Sequence, residues 1–116
     1  MDIYHVWCDL KPGVNDLEFC RDADTYLQSL IDDGRMENFR ITRRKLGLGS
    51  PELGEFHLML EFKGLGQLDE AFTKVAGRAN PVESFHHAVN SKVMSVKFSL
   101  YRDFPDPVRQ QGEEKF

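Results

Sequence analysis

Two histidines, a tryptophan and several charged side chains fall at alternate positions of four short segments, where they could bind an anion, stack on a ring or move a proton. The sets are His5, Trp7 and Asp9; Arg40, Thr42 and Arg44; His57, Met59 and Glu61; and Ser95, Lys97 and Tyr101. Imidazole titrates near neutral pH, so His57 or His5 is the natural general base if the chemistry is catalytic, with a carboxylate nearby to orient the ring. Arg40, Arg44 or Lys97 would hold a small polar or anionic ligand, and Trp7 or Tyr101 would stack on it. With Asp9, Met59 and Glu61 these make up the ligand-binding candidates. The other reading of the same residues is an ion-pair network at a wet subunit contact, because burying such charges unpaired costs several kcal/mol each.

Metal chemistry fits the spacing poorly. His57 and Glu61 stand four residues apart, about 13 Å along an extended strand and far beyond one coordination sphere, and the same holds for His5 and Asp9. His86 and His87 are adjacent on a helical pattern, where neighbours point about 100° apart and do not chelate one ion well. They read as a histidine at the core edge and one on the surface. No metal and no cofactor is expected.

These residues need strands to position them. Tyr4, Val6, Cys8 and Leu10 alternate with the first set, and Lys11-Pro12-Gly13 breaks the run. Phe56, Leu58, Leu60 and Phe62 alternate with the third set, the cleanest period of two in the chain. Phe39 and Ile41 face the core on a strand near 37–46, where Arg43 and Lys45 interrupt the pattern. A last strand near 92–102 turns Met94, Val96, Phe98 and Leu100 inward and leaves Val93 outside with Trp7, Met59 and Tyr101. Between them, Asn15-Asp16-Leu17-Glu18 resembles a capping box that opens a helix over about 16–33, with Gly34 as its left-handed stop. Its apolar stripe is Leu17, Cys20, Ala23, Leu27, Leu30 and Ile31. Leu68, Ala71, Phe72, Val75 and Ala79 mark a second helix that restarts after Pro81 through Val82, Phe85 and Val89. The loop with Gly47, Gly49 and Gly54 joins strand to strand and is a hairpin connection. Gly64-Leu65-Gly66 does precede a helix, and a tight turn accounts for its glycines.

The chain has 116 residues, 41% hydrophobic and 29% charged, with a net charge of −4. That is room for one domain over 1–102, followed by a C-terminal tail at 103–116 that either hugs a partner or is disordered. The acidic balance works against nucleic acid and anionic lipid. No stretch approaches the ~20 apolar residues of a membrane helix, and the first residues do not form a leader, so a cytoplasmic protein is expected. Cys8 and Cys20 both lie on apolar faces and read as buried thiols rather than a disulfide framework.

The order β-α-β-β-α-β is the split pattern of an α+β, ferredoxin-like fold, with an antiparallel sheet in order 4-1-3-2 and helices on one face. With two-faced strands over 1–102, this layout resembles the dimeric α/β-barrel superfamily, whose subunits pack sheet against sheet. That superfamily includes stress-responsive barrels, cofactor-free aromatic oxygenases, haem-degrading oxygenases and small-molecule lyases. The resemblance implies a homodimer through the sheet face with a ligand cavity, either oxygenase- or lyase-like or a noncatalytic structural dimer. Haem-degrading members use an asparagine, a tryptophan and a histidine; Trp7 stands on the first strand where the asparagine is expected, so that chemistry is not carried over. RNA-recognition modules share the fold but display aromatics on the third strand, whereas here Phe56 and Phe62 face the helices.

Overall fold

A computed structural model describes residues 1–80 and 82–106, without the side chain of Phe85. Of the tail expected at 103–116, residues 107–116 lie outside the described residues, and Asp103 accepts a hydrogen bond from the Met1 amino group at 3.1 Å. Seven elements follow in order: β1 (Asp2–Leu10), α1 (Asp16–Asp32), β2 (Asn38–Arg43), β3 (Phe56–Phe62), α2 (Leu65–Ala76), α3 (Val82–Asn90) and β4 (Val93–Arg102). The four strands form one antiparallel sheet in the order β2-β3-β1-β4, the ferredoxin-like order expected from the element pattern.

The termini of α1 follow its local chemistry. Asn15, extended at φ −76° and ψ 127°, accepts the Glu18 backbone N–H at 3.0 Å and so satisfies one orphan donor of the first turn. Glu18 does not complete the box; its carboxylate lies 3.7 Å from Lys92 Nζ. Gly34, at φ +73°, ends the helix in the left-handed conformation that costs a glycine little. The buried stripe is Phe19, Ala23, Leu27 and Leu30, rotated from the expected one. Leu17 is 67% exposed and Cys20 is exposed, which corrects the reading of Cys20 as a buried thiol. Phe19 meets Phe56 edge to face at 5.2 Å, and this larger ring sets which side of the helix turns inward.

β3 alternates buried and half-buried residues along its whole length, so Phe56, Leu58, Leu60 and Phe62 face the helices. Phe19, Phe62, Leu27 and Met36 are fully buried, each stabilising the fold by roughly 1.5–3 kcal/mol. Cys8 is buried in the same cluster, and burial together with the Asp9 charge pushes its thiol up to about 11. In the hairpin after β2, the Cβ of any larger residue at Gly54 would collide with the Cys8 backbone carbonyl, so only glycine allows this approach to β1.

β4 departs from its expected alternation. Its pairing with β1 shifts between Trp7 and Asp9, where Ser95 takes φ +55°. The extra residue of this bulge inverts the faces beyond it. Met94 therefore pairs with Asp9 on the open side and Val93 with Leu10 on the core side, opposite to the sequence expectation for both. Among the described residues, no helix is long and apolar enough to cross a membrane.

Candidate functional site

The register brings the open-face residues into rows. Thr42, His57, Trp7 and Lys97 align across the sheet, and Arg40, Met59, His5 and Ser99 form the next row. Asn38, Glu61, Ile3 and Tyr101 form a third row, to which sequence reasoning had assigned only Glu61 and Tyr101.

At the centre, His5 and His57 meet through a hydrogen bond of 2.8 Å between Nδ1 and Nε2. One ring must donate and the other accept, so at least one imidazole carries no second proton while the bond lasts. Trp7 stacks on both rings, 4.4 Å from His57 at 9° and 5.5 Å from His5 at 13°. Tyr101 closes the cluster edge-on to His5 at 4.9 Å. Burial lowers the pKa of both histidines, and at His57 the charge of His5 adds to it.

The charged candidates divide into two groups. Arg44 donates from Nη2 to the carbonyls of Ser50 at 2.8 Å and Leu53 at 2.6 Å, so it braces the hairpin loop. Asp9 accepts the Glu55 backbone N–H at 2.9 Å and ties that loop to β1. Thr42 donates its hydroxyl to the His57 carbonyl at 2.7 Å. Arg40, Glu61 and Lys97, by contrast, make no side-chain hydrogen bond or ion pair with the described residues. No group of three metal-ligating side chains occurs among the described residues.

A cavity of about 620 Å³ lies on the opposite side of the sheet, under the helices. Its floor is built from the inward residues of β1, β3 and β4, including Tyr4, Val6, Leu58 and Val96, and its walls from α1, α2 and α3, including Tyr26, Phe72 and His86. None of the open-face candidates lines it. Tyr4 stacks with Phe98 at 5.7 Å and meets Phe72 edge-on at 5.2 Å, and Tyr26 meets His86 at 5.5 Å. The hydroxyls of Tyr4 and Tyr26 have no hydrogen-bond partner among the described residues. Burial, with Tyr4 adding to it, pushes the Tyr26 phenol up to about 12, so it stays a donor at neutral pH. The sequence places Tyr4, Phe72 and Phe98 in the core and His86 at its edge and assigns Tyr26 no role; a tyrosine on an otherwise apolar face is the one signal that sets Tyr4 apart.

Comparison with solved structures gives the same fold at low sequence identity. The Arabidopsis thaliana protein At3g17210 matches at 12% identity and a TM-score of 0.71, covering 91% of this chain and 98% of its own. SnoaB, a cofactor-independent oxygenase from Streptomyces nogalater, matches at 7% identity and 0.64, covering 93% and 98%. A dimeric ferredoxin-like protein of unknown function from Jannaschia matches at 12% identity and 0.63, covering 89% and 100%. No curated protein matches the chain. One family model spans it from end to end, residues 1–116, and the chain thus belongs to the family of unknown function DUF6614.

Proposed function

We propose that this chain is a homodimeric small-molecule-binding protein that associates through its open sheet face and holds its ligand in the cavity between sheet and helices. The cavity carries this reading. Its volume falls within the range of roughly 300–1,000 Å³ that small-molecule sites occupy, its lining is mostly apolar, and two tyrosine hydroxyls point to a polar group on the ligand. The space opens to solvent beside Phe72 and Phe98, so a bound apolar molecule would remove apolar lining from water.

Association through the open face is supported by the fold's relatives, among them the dimeric Jannaschia protein, and by the character of that face. Ile3, Trp7, Met59, Met94 and Tyr101 stand on it uncovered by any helix of this chain. In a two-fold pair each patch meets its own copy, so one cation of each molecule, Arg40 or Lys97, can find Glu61 of the second molecule as a partner. The His5–His57 pair, engaged with Trp7 and Tyr101, serves this contact in our reading rather than a proton-transfer step.

Sedimentation equilibrium and titration with 1-octanol test the two halves together. We expect a dimer with one saturable site per chain, weakened by Val89→Phe, which enlarges a half-buried residue of the cavity lining. A monomer without saturable uptake of the alcohol contradicts the proposal. A dimer without uptake leaves the noncatalytic structural role, which the closed aromatic and imidazole cluster of the open face would favour.

A further inference from the structure

The apolar cavity has a polar neighbour. A smaller cavity of about 210 Å³ sits beside the α2–α3 connection, and Val75, Ala76, His86 and Asn90 line both. Sharing four lining residues, the two spaces lie side by side. The smaller one adds only polar groups, Arg78, Glu83 and His87.

Arg78 and Glu83 share this space without an ion pair, and neither makes a side-chain hydrogen bond to any described residue. Arg78 follows α2 at φ +51°, with its backbone N–H bonded to the Val75 carbonyl, so the helix end fixes where the guanidinium starts. Two imidazoles, His86 and His87, border the same space. Arg78 and Glu83 cancel in formal charge, and the N–H donors of the guanidinium and the two imidazoles at this mouth suit an acceptor group such as a carboxylate. Apart from the residues it shares with the mouth, the inner cavity offers an ionised group only the neutral Tyr4 and Tyr26 hydroxyls and the Cys8 thiol, too little to offset its desolvation.

We infer that the ligand is an amphiphilic monocarboxylate, its apolar body in the inner cavity and its carboxylate at the α2–α3 mouth on Arg78, with His86 and His87 as further donors. This rests on the cavity being a ligand site. Arg78 sets the class of ligand, and Glu83 opposes it by like charge. A carboxylate enters head last, so its charge never crosses the apolar lining.

Calorimetric titration of the full chain with octanoate and 1-octanol, probes of matched length that differ in the head, separates the possibilities. The expected result is octanoate binding about tenfold more tightly than the alcohol at low salt. Arg78→Gln removes that preference without weakening the alcohol, which also shows that the variant is folded. Glu83→Gln tightens octanoate several-fold, and high salt weakens octanoate alone. Equal binding of both probes, unchanged by Arg78→Gln, overturns the carboxylate assignment while the cavity reading stands. Uptake of neither probe overturns both.

Discussion

On the helix side of the sheet, Tyr4, Val6 and Cys8 of β1 border an apolar void; one residue further along the same strand, His5 and Trp7 are occupied with each other, with His57 and with Tyr101. The tyrosine hydroxyls of the first face lack partners within the chain, whereas both imidazoles of the second have theirs. A face with space and hydroxyls free of protein partners suits a guest molecule. A face whose rings are already stacked, but whose apolar and charged rim is uncovered, suits a flat partner. The period of two that builds a strand thus permits two unrelated duties on one element.

If the faces are independent, substitutions on one should leave the other untouched. Trp7→Asp puts a charge at the centre of the open face and removes the stack over both histidines, so it should cost association about 2 kcal/mol or more. His87→Asp, on the outer side of α3, should leave association unchanged. Sedimentation of the two variants side by side checks this, and equal dimer stability would place the contact elsewhere.

Tyr26→Phe tests the other face. Loss of one unpartnered donor in the cavity should weaken 1-octanol by about 1 kcal/mol and leave the dimer constant alone. Were the dimer to weaken as well, the two faces would have to be coupled through β1.

The smallest effect concerns pH. Both His5 and His57 have pKa values below the ordinary 6.5, so the unfolded chain takes up protons more readily than the folded one as pH falls. The contribution of the pair is therefore present above about pH 6.5 and is lost below it. In the partly exposed single chain solvent screening keeps this contribution small. Melting curves between about pH 7.5 and 5.5 should show a slope that the double variant His5→Gln/His57→Gln lacks. An identical slope in that variant would assign the acid sensitivity to carboxylates instead.

Much of this arrangement was legible in the residues. The alternation in β1 and β3 placed His5 and Trp7 beside His57, because strict period two leaves only one face for each side chain. Asn15 and Gly34 marked the ends of α1 through local hydrogen bonding and backbone freedom, which need no tertiary context. The rotation of α1 was not legible, since Leu17, Phe19 and Cys20 are all apolar and only packing against Phe56 chooses among them. Ser95 gave no warning of its bulge, as serine carries no strong preference for positive φ. The cavity was hidden for a deeper reason: Phe72 and Val96 look the same whether the space between them is filled or empty.

The irregularity at Ser95 bears on how large an assembly can grow. β4 is an outer strand ten residues long, the kind of exposed ladder on which further chains can add and polymerise. A backbone turned to φ +55° partway along interrupts that ladder and leaves no continuous run of donors and acceptors for a newcomer to match. Growth edge to edge is thereby discouraged, and a proposed closed pair through the open face is not drawn out into a fibre.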